Sequence, residues 1–496
     1  MKRKIHQTNG VRPQDWPARL LGLALLALGL VGCGRPMPIQ REWVLNEVST
    51  HYREFFPLSA GEQQNPQHEV GLLQPRFGIP VVVRRGTDFT VEILERGGPQ
   101  QLQAALISPQ ASEQSAEQCL AGAEIAGCQQ LKLELTQREP TAAGISVASY
   151  RASPLGLTSQ PMGGFDLLVR SGAGPVSRAP KSVWLREEDP DGLSELRVAH
   201  LSDLHVGKGG RKAPLLLSHV QEMVAEINRH APDLVVVTGD LVHRGQNPTL
   251  APVAQSLLLQ LNAPTLVVLG NHDIEWQPIG AAIKKYGAGW INFARSFHPF
   301  LHFRVQLGGY DFVGFDSGPG ERTARILTRG LSPQNVATLK EDLVNARTQG
   351  RRGVVLFSHA PSRAATFTSI RPQGAGFFGR MRQGRAAFEQ LLVDAADQGQ
   401  RVLHLAGHTH WSDVFEVHAQ GSSRHFTRWP TEALTPCQKP LSSEVAIITT
   451  QAASHGGLFT KRNARGYGFA MLTMGTQKPE VAFHQYGVKR APYCQQ

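Results

Sequence analysis

Five short segments of this 496-residue chain carry side chains suited to holding metal ions: Asp203-Leu204-His205, Gly239-Asp240, Gly270-Asn271-His272-Asp273, His359 and Gly407-His408-Thr409-His410. Singly they say little, because a Gly-Asp pair is usually a turn and an isolated His after a strand usually serves packing. Together they form a coherent donor set of imidazole, carboxylate and amide oxygen with no thiolate. Such a set suits Mn, Fe, Zn or Ni and not a cysteine-bound structural zinc. All five lie within roughly 210 residues, and each follows an apolar run that reads as a strand.

The elements that must position these side chains are legible as well. The runs Leu196–Leu201, Leu234–Val237, Leu266–Leu269, Val354–Phe357 and Val402–Leu405 read as buried strands. Apolar spacing predicts helices over Leu215–His230, from Ser332-Pro333 to about Arg347, and over Gly384–Asp397, with Ser332 as N-cap. Strands alternating with helices indicate an α/β layered domain, in which ligands bind at the strand ends. Upstream, Ile79–Val83, Phe89–Leu94, Leu102–Ile107, Leu131–Leu135, Ile145–Tyr150 and Phe165–Val169 read as short strands of a small all-β, sandwich-like domain. That domain has no cluster of metal ligands and reads as a spacer or ancillary module. Ala179–Ser194, with Pro180, Pro190 and Gly192, reads as a linker. The expected organisation is therefore a leader over 1–33, a tether over 34–76, a β-rich domain over 77–186 and the α/β domain over 196–490.

The order and spacing of Asp203-x-His205, Gly239-Asp240, Gly270-Asn271-His272-Asp273, His359 and Gly407-His408-x-His410 resemble the calcineurin-like metallophosphoesterase pattern, over about residues 196–420. The resemblance implies a four-layer α/β/β/α sandwich with two divalent metal ions at the strand ends. Asp203, His205 and His410 would bind one metal, and Asn271, His359 and His408 the other, with Asp240 between them. The implied activity is hydrolysis of a phosphate ester by a metal-activated water. His272, beside the ligand Asn271, is the candidate for protonating the leaving oxygen, with Asp273 expected to orient its ring. Arg244 is the candidate phosphate contact. The phosphoprotein-phosphatase branch has an Asp where this chain has His243, which weakens that reading. Asp316-Ser317 and Gly330-Leu331-Ser332 look instead like the branch containing cyclic-nucleotide phosphodiesterases, so diesters are favoured over monoesters. An inactive surface-binding protein on the same fold is the alternative from a different class, and it predicts lost ligands, yet every ligand position is filled. A metal-dependent hydrolase acting on a centre other than phosphorus also stays open. His200, His404 and His455 are expected to serve packing or surface roles. Loops Ile274–Pro278 and Ser362–Arg385 are expected to border the substrate.

The N-terminus suggests where such an enzyme would work. Lys2, Arg3, Lys4, Arg12 and Arg19 precede the apolar run Leu20–Gly32, which is too short to span a membrane comfortably but suits a secretion signal. It ends in Leu30-Val31-Gly32-Cys33, which resembles the bacterial lipobox, so Cys33 is the expected lipid attachment site. Gly34 follows where an Asp would signal inner-membrane retention. The expectation is a cell-envelope lipoprotein, at the outer membrane if the source is Gram-negative. Cys119, Cys128, Cys437 and Cys494 form an even set suited to an oxidising compartment, and Cys119–Cys128 with Cys437–Cys494 is the local choice among three pairings. The composition, 41% hydrophobic and 18% charged, excludes wholesale disorder. The net charge of +11 is spread without a dense basic block. It favours anionic substrates or lipid surfaces, leaves nucleic acid as a substrate only, and names no protein partner.

Overall fold

The computed structural model describes residues 39–57, 70–96, 101–141, 145–155, 161–172, 174–209, 213–274, 288–318, 330–363, 380–419, 425–430, 437–454 and 467–486. The leader with Cys33, and Cys494, His455 and most of the two loop regions named above, lie outside the described residues.

The first sheet contains β1 (Val70–Gln74), β2 (Val81–Arg84), β3 (Phe89–Arg96), β4 (Leu102–Ile107), β5 (Cys128–Pro140), β6 (Ile145–Pro154), β7 (Gly163–Ser171) and β8 (Ser177–Arg186). Its order is β1-β3-β6-β5-β4-β7-β8-β2. The sheet rolls until β1 packs against β7 and β8, where Ser177 Oγ donates to Val70 O at 3.1 Å. One curled sheet thus encloses its own core of Val91, Ile93, Leu106, Leu167 and Val183, which gives the sandwich-like form. Strand β8 occupies part of the segment read as a linker. Pro180 breaks the sequence pattern, but it falls where the β7–β8 register shifts, between Phe165–Val183 and Leu167–Ala179. At such an irregularity a missing N–H costs little. Cys119 and Cys128 are joined by a disulfide. Cys437 is also disulfide-bonded; its expected partner Cys494 lies outside the described residues.

The segment expected to be a tether also has structure. Helices α1 (Arg41–Thr50) and α2 (Tyr52–Phe55) pack on the α/β region, where Trp43 stacks on Trp290 at 5.7 Å and Phe55 meets the same ring edge-on. Apolar contact of this kind ties the chain down in a way that polar composition alone does not announce.

Within the first sheet α3 (Glu113–Leu120) covers β4, and beyond it the chain enters two further sheets, of six and seven strands. One contains β9 (Leu196–Leu201), β10 (Leu234–Val237), β11 (Thr265–Val267) and three later strands. The other contains β12 (His302–Leu307), β13 (Tyr310–Phe315), β14 (Gly353–Ser358), β15 (Val402–Ala406), β16 (Asp413–Val417) and β17 (Phe426–Arg428), then β19 (Val445–Thr449). The remaining strands, β18 (Lys439–Pro440), β20 (Tyr467–Met474) and β21 (Glu480–Tyr486), complete the first of these as β11-β10-β9-β20-β21-β18, and the second runs β12-β13-β14-β15-β19-β16-β17. Helices α4 (Ala213–Arg229), α5 (Leu250–Leu258), α6 (Asn271–Ile274) and α7 (Ala288–Ser296) follow strands of the first, and α4 packs on β20. Helices α8 (Pro333–Thr348) and α9 (Arg385–Asp397) pack on β14 and β15. Ser332 caps α8, its Oγ accepting from Asn335 N at 3.0 Å. The two inner faces share one apolar core, completing the four layers.

Strands β9, β10 and β11 are mutually parallel, as are β13, β14, β15 and β19. Each is buried over all or nearly all of its length and is mostly apolar, because both faces are covered. Three fully buried histidines support this framework. His200 Nε2 meets Thr238 Oγ1 at 2.9 Å, His404 Nε2 meets Ser358 Oγ at 3.0 Å, and His298 Nε2 meets Val267 O at 2.8 Å. Burial lowers each of the three to about 3. Between the unfolded value of about 6.5 and that folded value, the unfolded chain takes up protons that the native rings refuse. Each ring therefore costs stability as pH falls, by up to ~1.4 kcal/mol per pH unit. We expect the urea midpoint to drop from pH 7 to pH 5, and to drop less in His404→Gln. Equal slopes in the two proteins would remove His404 from the account.

Candidate metal centre

Each strand delivers its ligands by a tight turn at its C-terminal end. β9 runs into Asp203 and His205, β10 into Asp240, β11 into Gly270-Asn271-His272, β14 into His359 and β15 into His408 and His410. The turns are bonded to one another: Asp203 N donates to Gly239 O at 3.0 Å, His205 N to Asp240 O at 2.9 Å, and Gly407 N to His359 O at 2.9 Å. Two sheets thereby converge on one spot.

Backbone strain concentrates there. Among the described residues, seven non-glycine residues have positive φ, and five of them are Asp203, His205, Asp240, His408 and His410. Such conformations cost about 1–3 kcal/mol each and persist only where the surroundings impose them. Close packing is one such imposition. A Cβ on Gly270 would lie 2.1 Å from Asp240 N, and one on Gly407 would lie 1.7 Å from Ser202 Oγ.

The side chains sort into two groups. In the first, His410 Nε2 lies 3.1 Å from both Asp203 Oδ1 and His205 Nε2. In the second, His359 Nε2 lies 3.1 Å from His408 Nδ1 and 3.2 Å from Asp240 Oδ2. The same Asp240 Oδ2 is 3.7 Å from His205 Nε2, so one carboxylate oxygen faces both groups. Its other oxygen, Oδ1, accepts from His272 N at 2.8 Å. Donors about 2.1 Å from one cation stand roughly 3.0–3.4 Å apart, the spacing found within each group. The Asn271 Oδ1 atom is buried with no hydrogen-bond partner among the described residues, as expected of an oxygen reserved for a cation. The residues fit two divalent ions.

Electrostatics agree. Burial works against ionising Asp203 and Asp240, yet the surrounding histidines hold both carboxylates well below their usual range. Burial, helped by the neighbouring His272 and His410, brings His205 down to about 3 against the pull of Asp203 and Asp240. His359 goes the other way: burial opposes it, but the Asp240 and Asp203 carboxylates raise it to about 9. The pocket thus demands positive charge at the point where Asp240 meets His359, and a divalent ion answers that demand while displacing the proton.

Neighbouring groups aim the donors. His359 Nδ1 donates to Thr238 O at 2.7 Å, which turns Nε2 inward. Asp203 Oδ2 accepts from Ser202 Oγ at 2.7 Å and His408 N at 2.9 Å, leaving Oδ1 for the centre. Ser202 and Thr238 were not singled out by sequence reasoning, since serine and threonine beside a motif carry no pattern of their own.

His272 lies at the centre, its Nε2 4.0 Å from Asp240 Oδ2. Its ring is not oriented by Asp273. Its Nδ1 meets the carbonyl of His243 at 3.0 Å, while Asp273 accepts from Val242 N at 2.9 Å and Gly270 N at 2.8 Å. Asp273 is a clamp between two ligand turns, and burial beside charged Asp240 raises it to about 8. Arg244 lies exposed on the loop after His243, so the structure places it beside the centre's rim and not among the buried donors.

Because Asp240 Oδ2 serves both groups, Asp240→Asn is expected to reduce Mn content, measured by elemental analysis after dialysis, from two ions per chain to one or fewer. Gly270→Ala, which pushes on the Asp240 backbone, is expected to lower it too. Retention of two ions in Asp240→Asn would exclude the shared-oxygen arrangement.

Comparison with known proteins places this geometry. Residues 196–412 match the family described as calcineurin-like phosphoesterase. A protein of Rhodopseudomonas palustris named a probable cyclic nucleotide phosphodiesterase is 43% identical over 82 residues, 16% of this chain and 30% of that protein. An uncharacterized metallophosphoesterase of Campylobacter jejuni is 23% identical over 250 residues, 50% of this chain and 53% of that protein. The matches therefore span from under a third to about half of these relatives. Among solved structures, a purple acid phosphatase from yellow lupin seeds superposes with a TM-score of 0.46 at 10% identity, covering 82% of this chain and 71% of that one. The α/β region of this chain, with its paired donor groups at the strand ends, belongs to the calcineurin-like phosphoesterase family.

Proposed function

We propose that the protein hydrolyses phosphate esters, diesters ahead of monoesters, at the cell envelope. The observation that carries this reading is the pair of donor groups meeting at one oxygen of Asp240. When bound, two divalent cations at this spacing supply charge neutralisation for the phosphoryl oxygens and acidify a water to near neutral pH. The chain's own residues do the rest. Asp203, His205 and His410 would hold one cation, and Asn271, His359 and His408 the other, with Asp240 facing both groups. With its Nδ1 committed to the His243 carbonyl, His272 presents Nε2 to the centre and handles the proton at the leaving oxygen. Arg244, exposed at the rim, contacts the phosphate or its substituents.

The preference for diesters is supported by the name of the Rhodopseudomonas relative and by Asp316-Ser317 and Gly330-Leu331-Ser332. The first of these pairs sits beside the centre, where Ser317 Oγ accepts from Ala360 N at 2.8 Å, next to His359. An envelope location argues against a cytoplasmic second messenger as substrate. For that location the support is the basic and apolar leader ending in Cys33, the proposed lipid attachment site. Mass spectrometry of the N-terminal peptide from the native host is expected to show a diacylglyceryl-modified Cys33, and an intact unmodified leader would exclude it.

The activity is tested on the full chain lacking residues 1–33, loaded with Mn, Fe, Zn or Ni. Bis-p-nitrophenyl phosphate is expected to turn over faster than p-nitrophenyl phosphate, and chelation to abolish both. Asp240→Asn is expected to be inactive, and His272→Ala to lose about 10²–10⁴ in kcat. A two-metal protein that cleaves neither ester would move the inactive surface-binding reading ahead.

A further inference from the structure

A third group of ring nitrogens borders the centre. Those of His205, His243 and His272 all lie within 4.8 Å of one another. The rings of His243 and His272 stack at 5.0 Å and 21°, and His205 meets both edge-on, at 70° and 87°. Such a trio could hold another cation, but its surroundings favour an anion. Lys208 and Arg244 both bear electrostatically on His243, and Lys208 bears on His272 as well. Asp240, the carboxylate acting on these rings, is already engaged by both donor groups.

Lys208 is held here by the fold. Val206 and Val242 form a parallel bridge, His243 N donates to Val206 O at 2.9 Å, and Lys208 N donates to His205 O at 3.0 Å. These bonds lay the 205–208 turn alongside the 240–243 turn. The Lys208 side chain is half-buried, although lysine is usually exposed, and it feels the charges of Asp203 and Asp240. His272 therefore has the ring of His243 stacked against it and Lys208 on the adjoining turn.

We propose that Lys208 and His243 form a leaving-group subsite beside His272, suited to a phosphodiester whose leaving alcohol carries a second phosphate. The inference rests on the phosphodiesterase reading and on His272 facing the leaving oxygen. The imidazole at position 243 gives the leaving alcohol an aromatic surface where a carboxylate would repel its phosphate. The ammonium of Lys208 supplies a charge-assisted contact to the second phosphate.

The test compares thymidylyl-(3′→5′)-thymidine with the same dinucleotide carrying a 3′-terminal phosphate, on the Mn-loaded protein, with products resolved by chromatography. Bis-p-nitrophenyl phosphate is the reference ester. The wild type is expected to favour the phosphorylated dinucleotide by about ten- to a hundred-fold in kcat/KM, the worth of one charge-assisted contact. Lys208→Met and His243→Asp are expected to lose at least ten-fold more on the phosphorylated dinucleotide than on the reference ester, and Lys208→Glu still more. Calorimetric binding of thymidine 3′-phosphate against thymidine provides a readout independent of turnover, with the advantage of the phosphate lost in Lys208→Glu. An equal kcat/KM for both dinucleotides, or a preference retained in the Lys208 variants, overturns the subsite. Failure of the wild type to cleave even the reference ester counts against the phosphodiesterase reading, and the binding comparison then decides the subsite alone.

Discussion

The carboxylate of Asp240 is the contact on which the other parts of the centre depend. One oxygen faces the donors of both sheets, and the other fixes the backbone of His272. A buried carboxylate is costly unless positive charge or hydrogen-bond donors surround it, and here His359, His272 and His205, from three different turns, hold Asp240 ionised. The same field that holds Asp240 ionised lifts His359 to about 9. The pocket is therefore built around a demand for cations, and the proposed phosphoester chemistry rests on what two cations held there would supply.

Meeting that demand requires backbone conformations that side-chain-bearing residues avoid. Asp203, His205, Asp240, His408 and His410 all sit at positive φ, and glycines at 239, 270 and 407 leave no room for a Cβ between the turns. The strain is carried by the parallel strands beneath, whose apolar side chains fill a single core shared by both sheets. A rigid, largely apolar framework and a strained polar rim are two halves of one device. The framework makes the strained turns affordable, and the turns bring imidazoles from distant parts of the chain to 3.1 Å separations.

Much of this was readable in the residues. The five ligand turns each follow an apolar strand, and the types of donor exclude thiolate chemistry, so the family and the donor list could be assembled without coordinates. The helix cap at Ser332 was legible for the same local reason. The reading failed where the controlling contact was remote. Pro180 looked like a linker residue because its tolerance depends on a register shift against β7. Residues 41–55 looked like a tether because the partner of Trp43 is Trp290, almost 250 positions away. Asp273 looked like the group orienting His272 because it is next in sequence, whereas its side chain points back to Val242 and Gly270.

The sequence by itself determined the chemistry available: which atoms could bind a metal, which strands would bury, and that each ligand would stand at a strand end. These are consequences of residue type and local periodicity. Tertiary structure decided how closely the donors approach one another, which Asp240 oxygen faces both groups, and that the His243 carbonyl meets Nδ1 of His272. It also brought Lys208 alongside His243 through the bridge between Val206 and Val242. Distances and directions between segments tens to hundreds of residues apart arise only when two sheets pack on one core, and periodicity along the chain does not encode them.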